Sequence, residues 1–388
     1  MRPWHIQMTG RDPDERHRVA TPLELLFDLC FVVAVAEAAS ELHHDLAAGQ
    51  LGHGIVSYLI IFFAIWWPWV NFTWFASAYD TDDVLYRLLT FVQIGGVLVV
   101  TAGVPSAFET LDFRIAVIGY VIMRIALVGQ WLRAVREDPA GRSTAVRFAI
   151  GISLVQLGWI VRLAIGGPLG FIAILLLGLV ELAIPFWAER SGRPTPWHPG
   201  HVAERYGLFT IIVLGEVVLA ASTAIQRALA AGALSVPLLG VAMGGLLLVF
   251  GLWWAAFKHP AGIGHHRSLL SMLAWGYGHY VVFAAIAALG AGLQVAIDTT
   301  HGATAVSPAV VALTVAIPVA VFLCAAWLIH PQSATRPSAT PLAVSVLLLV
   351  LSALSAPWIG VPLAVVAMGV VLGGLVAVNV RAMQVVPS

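Results

Sequence analysis

Few residues of this chain ionise, and several of those that do sit in runs that are otherwise apolar. Glu24 and Asp28 lie four residues apart in Thr21-Pro22-Leu23-Glu24-Leu25-Leu26-Phe27-Asp28-Leu29, a spacing that puts both on one helical face. Glu37 follows in the same run. Glu204, Arg205 and Glu216 occupy a second run, from His201 to Glu216, that echoes the first. A carboxylate near the centre of a bilayer costs roughly 2.5–3.5 kcal/mol on insertion scales, so it is protonated, paired or facing water. Those states suit ion or proton coupling and the binding of a polar substrate. For Glu24 a structural reading competes: Thr21 caps the helix, Pro22 occupies its first turn, and the helix dipole favours an acid there. Asp28 lies deeper and reads as buried and partnered. Glu216 comes about 18 Å beyond Glu204 along a helix, past the midplane.

A further acidic group closes the Trp-rich run Trp66-Trp67-Pro68-Trp69 to Asp80-Thr81-Asp82-Asp83. Three aspartates in four residues are hard oxygen ligands and could hold Mg²⁺. They are equally a solvated turn and N-cap, with Arg87 as ion-pair partner of Asp83. The Trp rings are expected at the lipid interface, with Asn71 hydrogen-bonding across helices. Arg124, Arg162 and Glu181 also fall inside apolar spans, and a structural salt bridge of Arg162 with Glu181 would satisfy two of them. His279 is either a satisfied interior group or a proton relay. Glu41, His43, His44, Asp45 and His53 have metal-ligand chemistry but no metal-site spacing, and read as a wet loop. His259, His265 and His266 form a comparable group later in the chain. There is no GxSxG, Walker loop or paired CxxC.

Composition sets what must position these groups. The 388 residues are 60% hydrophobic and 10% charged, whereas soluble domains carry about 25% charged residues. A polytopic all-α integral membrane protein follows, with the lipid bilayer as its main surroundings. Zero net charge and no Lys/Arg block exclude nucleic acid as a natural partner. Cys30 and Cys324 lie in apolar spans and read as small buried residues. Met1 to Ala20 is polar and basic, without the apolar core of a signal peptide.

Twelve windows are apolar enough to span: 22–47, 53–78, 84–108, 113–135, 145–166, 168–188, 201–226, 235–257, 268–296, 306–329, 339–357 and 361–381. With the N-terminus inside, sixteen of the 20 Lys and Arg fall in inner segments, against Arg114 and Arg227 outside. That is a strong positive-inside bias. It places the chain in the cell (plasma or inner) membrane with both termini cytoplasmic. The order of matching features points to an internal repeat. Trp66-Trp67 pairs with Trp253-Trp254, Arg87 with Arg267, Trp131-Leu132 with Trp327-Leu328, and Pro168 with Pro362. The expected organisation is a cytoplasmic segment 1–20 followed by parallel six-helix repeats at 21–190 and 191–388, one of the known transporter plans.

The Thr21 to Leu29 motif, the Trp-rich run ending in Asp80 to Asp83, and HVAERYGLFTIIVLGE from His201 to Glu216 together resemble the bacterial low temperature requirement protein A (LtrA) family. The resemblance covers nearly the whole chain and implies an integral membrane protein. In that family a neutral polar residue, usually Gln, stands where this chain has Glu37, which leaves Glu216 the firmer of the two candidates.

Three functions remain open on these residues. The first is a secondary transporter or permease, proton-coupled, moving a small molecule or ion. Its candidate substrate- or ion-coupling residues are Glu24, Asp28, Glu37, Asn71, Glu204, Arg205 and Glu216. The second is a membrane-embedded enzyme acting on a lipid or isoprenoid diphosphate, with Mg²⁺ held by Asp80, Asp82 and Asp83. The third is a structural or sensory protein without turnover. No other cofactor is implied. The arginine distribution predicts a cytoplasmic C-terminus. A reporter fused after Ser388 should be active only in the cytoplasm, and a periplasmic signal would remove one helix and the parallel repeat with it.

Overall fold

The computed structural model describes residues 4–13, 15, 18–190, 193–230, 232, 235–257, 269–300, 302, 304–329 and 339–384. Every regular element among them is helical, and there are fourteen. Each of the twelve apolar windows coincides with a helix. Window 84–108 is divided between α3 (Val84–Ala102) and α4 (Val104–Glu109), and window 339–357 between α12 (Ala339–Leu354) and α13 (Ala356–Ile359). Ten helices are long and apolar enough to cross a membrane: α2 (Leu51–Tyr79), α3, α5 (Arg114–Glu137), α6 (Arg142–Arg162), α7 (Gly167–Glu189), α8 (Pro199–Ala230), α9 (Val236–Phe257), α10 (Leu269–Thr299), α11 (Pro308–Ile329) and α14 (Val361–Gln384). The protein is therefore a multi-pass membrane protein. Two expected spans fall short of that standard. Helix α1 (Pro22–Ala47) carries five acids, and α12 has 16 residues.

The chain divides into two compact units. Unit 1 comprises Met1–Glu37, Ile60–Arg205 and Ile263–Ala274, and unit 2 comprises Ala38–Leu59, Tyr206–Gly262 and Trp275–Ser388. The divisions fall within α1, α2, α8 and α10, so these helices contribute to both units.

In unit 1, α3 packs on α5, α5 on α6, and α6 on α7. Lipid offers no hydrophobic gain for bringing helices together, so close backbone approach has to supply the attraction. Gly96 and Gly119 allow it at the α3–α5 crossing. A Cβ on Gly119 would lie 2.5 Å from the Val100 nitrogen and 2.6 Å from the Gly96 oxygen. Nearby, Gln93 Nε2 donates to Gln130 Oε1 at 3.0 Å across the same interface. In unit 2, α9 packs on α14 by the same device. A Cβ on Gly244 would meet the Val365–Val366 backbone at 2.7 Å. Helices α11, α12 and α14 pack on one another beside them.

The Trp cluster differs from the sequence expectation. Trp66, Trp67 and Trp69 are at most 1% exposed, so these rings fill the core of unit 1 and do not face lipid. The indole N–H groups explain why. Trp67 and Trp69 each donate to a buried carboxylate, at 2.8 Å to Glu181 and 2.6 Å to Asp28. The proposed repeat counterparts of Trp66 and Trp67, Trp253 and Trp254, are each 46% exposed, so the sequence match does not carry over into equivalent burial.

Candidate functional site

Among the described residues unit 1 buries three groups of charges, the third being Asp83 with Arg133. The first begins at the N-terminus of α1. Thr21 and Glu24 form a reciprocal capping box, with Thr21 N donating to Glu24 Oε2 at 2.8 Å and Glu24 N to Thr21 Oγ1 at 3.3 Å. One turn on, the helical spacing brings Asp28 beside Glu24. Arg205, on the first part of α8, reaches both. Its Nη1 donates to Glu24 Oε1 at 3.0 Å, its Nη2 to Asp28 Oδ1 at 2.5 Å and its Nε to Asp28 Oδ2 at 3.1 Å. Trp69 Nε1 supplies a further donor to Asp28 at 2.6 Å. The guanidinium lies 6.0 Å from the Trp69 ring centroid and 5.9 Å from that of Phe72, within cation–π range.

His201 stands one turn before Arg205. Its Nε2 lies 3.2 Å from Glu24 Oε1 and 3.3 Å from Oε2. A carboxylate only accepts, so Nε2 carries the proton in this contact. His201 Nδ1 is buried and has no hydrogen-bond partner among the described residues. Glu24, Asp28, His201 and Arg205 are all 0% exposed. The structure thus unites three candidate residues, Glu24, Asp28 and Arg205, and adds His201 and Trp69. The i, i+4 spacing within HVAER carried the His201 signal. Nothing local singled out Trp69 among its neighbours.

The second group surrounds Glu181 on α7. Five donors converge on this carboxylate: Trp67 Nε1 at 2.8 Å, Tyr120 Oη at 2.8 Å, Arg124 Nη2 at 2.6 Å, Gln156 Nε2 at 3.1 Å and Trp159 Nε1 at 3.3 Å. Its cationic partner is Arg124, not the expected Arg162. Arg162 lies far along α6, where its guanidinium sits 5.0 Å from the Phe113 ring. These donors tie α2, α5, α6 and α7 together.

The acidic turn does not gather its side chains on one point. Asp83 caps α3 by accepting from Tyr86 N at 2.9 Å, and pairs with Arg133 at 2.9 and 2.5 Å. It also accepts from Ile6 N at 2.8 Å, which fixes the N-terminal segment. Burial would raise the Asp83 pKa, but Arg133 and the two backbone N–H groups outweigh it and hold the carboxyl down at about 2. Arg87 pairs with Asp82 at 2.7 Å and not with Asp83, and Asp80 accepts from Asp82 N at 3.0 Å. Among the described residues no three His, Cys, Asp or Glu side chains could hold a metal ion. Burial, reinforced by the Glu24 charge, pushes Asp80 up to about 6, against the pull of Arg18.

The remaining candidates stand apart. Asn71 bonds back to its own helix, Nδ2 to Trp67 O at 2.9 Å, instead of across helices. Glu204 accepts from Ala20 N at 3.2 Å. In unit 1 Glu37, and in unit 2 Glu216, are half-buried and make no hydrogen bond among the described residues. His279 lies in an aromatic setting in unit 2, 4.3 Å from the Trp275 ring centroid and 4.9 Å from that of Tyr206. His259, His265 and His266 lie outside the described residues.

Residues 19–378 match the profile of the family described as Bacterial low temperature requirement A protein (LtrA). The chain belongs to the LtrA family. Glu24, Asp28, His201 and Arg205 all fall within the matched region. The chain is also 29% identical over 223 residues to an uncharacterized protein of Rhizobium meliloti (strain 1021), an alignment covering 55% of this chain and 53% of the relative. The match thus spans about half of that protein's length.

Two outcomes follow for this LtrA-family protein. Arg205→Met leaves two buried carboxylates uncompensated, so it should destabilise by about 3–5 kcal/mol. Adding Glu24→Gln and Asp28→Asn should recover much of that loss, as read by thermal melts in detergent. The second concerns pH. Folded Asp80 keeps its proton up to about 6, whereas an unfolded Asp ionises near 3.9. The folded state therefore binds more protons between pH 4 and 6, and stability falls as pH rises through that window. Asp80→Asn should remove up to about 2 kcal/mol of this slope, and unchanged melting profiles from pH 4 to 6.5 would count against it.

Proposed function

We propose that this protein is a secondary transporter and that the Glu24–Asp28–His201–Arg205 cluster is its ion-coupling site. The observation that carries the reading is a charge mismatch in a dry place. Two carboxylates share one guanidinium, with every member 0% exposed. Within these direct contacts one carboxylate is in excess; Arg18, committed to the Ala76 and Ser77 carbonyls, adds a positive charge from outside them, and a proton on His201 or on a carboxylate is the mobile charge the cluster can take up. A buried site whose charge balance needs a mobile proton changes its affinity for that proton whenever water or substrate enters. A purely structural pair has no such need, as Glu181 and Arg124 show, matched one to one.

The rest of the reading is compatible with this site. Twelve spans in parallel six-helix repeats, 21–190 and 191–388, would give the transporter plan, with both termini cytoplasmic in the inner membrane. Glu216, half-buried and free of hydrogen bonds among the described residues, is a second candidate coupling carboxylate. The Mg²⁺-dependent enzyme is less favoured, because Arg133 and Arg87 already occupy Asp83 and Asp82.

The test is proton movement into pyranine-loaded proteoliposomes, under an imposed pH gradient and against a panel of amino acids, sugars, organic acids and organic cations. A solute that drives proton flux with the unaltered protein should drive at least tenfold less with Asp28→Asn, at a retained melting temperature. Normal flux in a folded Asp28→Asn protein would show that the cluster is structural.

A further inference from the structure

The far end of α1 carries the acids and histidines that read in sequence as a wet loop. In unit 2 they are organised otherwise. His43 Nε2 lies 2.6 Å from Asp298 Oδ2, joining the end of α1 to the end of α10. His53 Nδ1 lies 2.9 Å from Asp45 Oδ2, joining α1 to the start of α2. His44 Nδ1 is 4.0 Å from Glu41 Oε2, and the His43 and His44 ring centroids are 5.2 Å apart. The backbone continues the same junction, with Ala305 N donating to Ala47 O at 3.1 Å and Gln50 N to Asp45 O at 2.8 Å. Gly49, at φ 80°, makes the tight reversal between α1 and α2, a left-handed conformation that glycine adopts without strain.

The chemistry of these pairs is specific. In the two short contacts the carboxylate can only accept, so His43 and His53 must donate their N–H to Asp298 and Asp45. A neutral imidazole makes an ordinary hydrogen bond. A protonated one makes a charge-assisted bond roughly twice as strong. Three carboxylates face three imidazoles, so the junction carries three negative charges when the histidines are neutral and none when all are protonated. The side chains of His43 and Asp298 are 12% and 29% exposed, and those of Asp45 and His53 18% and 36%. They are sheltered enough for the charge to matter and open enough for solvent protons to reach them.

We propose that His43–Asp298 and His53–Asp45, with His44–Glu41 beside them, form a proton-binding latch that fastens the ends of α1 and α10 and the start of α2 on acidification. Protonation of the imidazoles strengthens these contacts, so the latch tightens on acidification and loosens as the pH rises. The arginine distribution puts this end on the extracytoplasmic side, so the latch reads the pH there. Other titratable groups on the same elements do not compete. Glu37 lies towards the middle of α1, and Tyr58 and Tyr280 donate to the carbonyls of Ala284 and Leu59. His301 lies outside the described residues. The latch does not depend on the transporter reading.

The experiment is hydrogen–deuterium exchange of the purified full-length protein at pH 5.5 and 7.5 with EDTA present, corrected for intrinsic rates. Segments 38–59 and 293–307 should exchange on the order of fivefold more slowly at pH 5.5. The double variant His43→Gln/His53→Gln should lose that difference, while His44→Gln, at the more exposed position, should keep most of it. If the double variant fails to fold, Asp298→Asn, which preserves shape and removes one charge, should weaken it in the same segments. A pH difference that survives in the double variant or in Asp298→Asn overturns the latch. So does the absence of any difference in the unaltered protein, or a difference that appears only when Zn²⁺ replaces EDTA.

Discussion

The structure of unit 1 rests on the requirement that a carboxylate removed from water be given donors elsewhere. Arg205 meets it for Glu24 and Asp28 together, with three of its nitrogens engaged. Desolvating such ions costs several kcal/mol each, and only near-complete hydrogen bonding offsets that. This explains why large aromatic side chains crowd the cluster. Trp69 gives Asp28 an N–H, and the Trp69 and Phe72 rings offer the guanidinium apolar contact with a favourable quadrupole.

Glu181 shows the same constraint solved to a different end. Its five donors saturate the carboxylate, and one arginine balances its charge. Such a group ties four helices together. The Glu24–Asp28 cluster has two acids in direct contact with one arginine, and a histidine whose Nδ1 has no hydrogen-bond partner among the described residues. These two buried clusters are thus told apart by stoichiometry: one acid contacts one arginine at Glu181, and two acids share the direct contact of one arginine at Glu24 and Asp28.

The acidic turn and the N-terminal segment form a third layer. Asp83 caps α3, pairs with Arg133 and accepts from Ile6, while Met8 N and His5 bind Glu137 on α5. Arg18 donates to the carbonyls of Ala76 and Ser77 at the end of α2, the kind of cation that helix C-termini favour. Of the three aspartates that resemble a metal-binding triad, Asp82 and Asp83 are thus committed to arginines and Asp80 to the turn itself.

Hydropathy and helical spacing determined the helical membrane class, the location of the helices and the pairing of Glu24 with Asp28, because each depends on residues near one another in the chain. The capping box of Thr21 and Glu24 was legible for the same reason. Motif resemblance brought out the HVAER stretch that supplies His201 and Arg205. What lay beyond the sequence was which distant partner each charge would choose. Arg124 and Arg162 were equally good partners for Glu181 on composition, and only the packing of α5, α6 and α7 selected Arg124. Trp66 and Trp253 head matching runs, yet one is buried and the other exposed, since burial is decided by neighbouring helices. The histidines at the end of α1 likewise looked solvated until tertiary structure set Asp298 against His43, across 255 residues of chain.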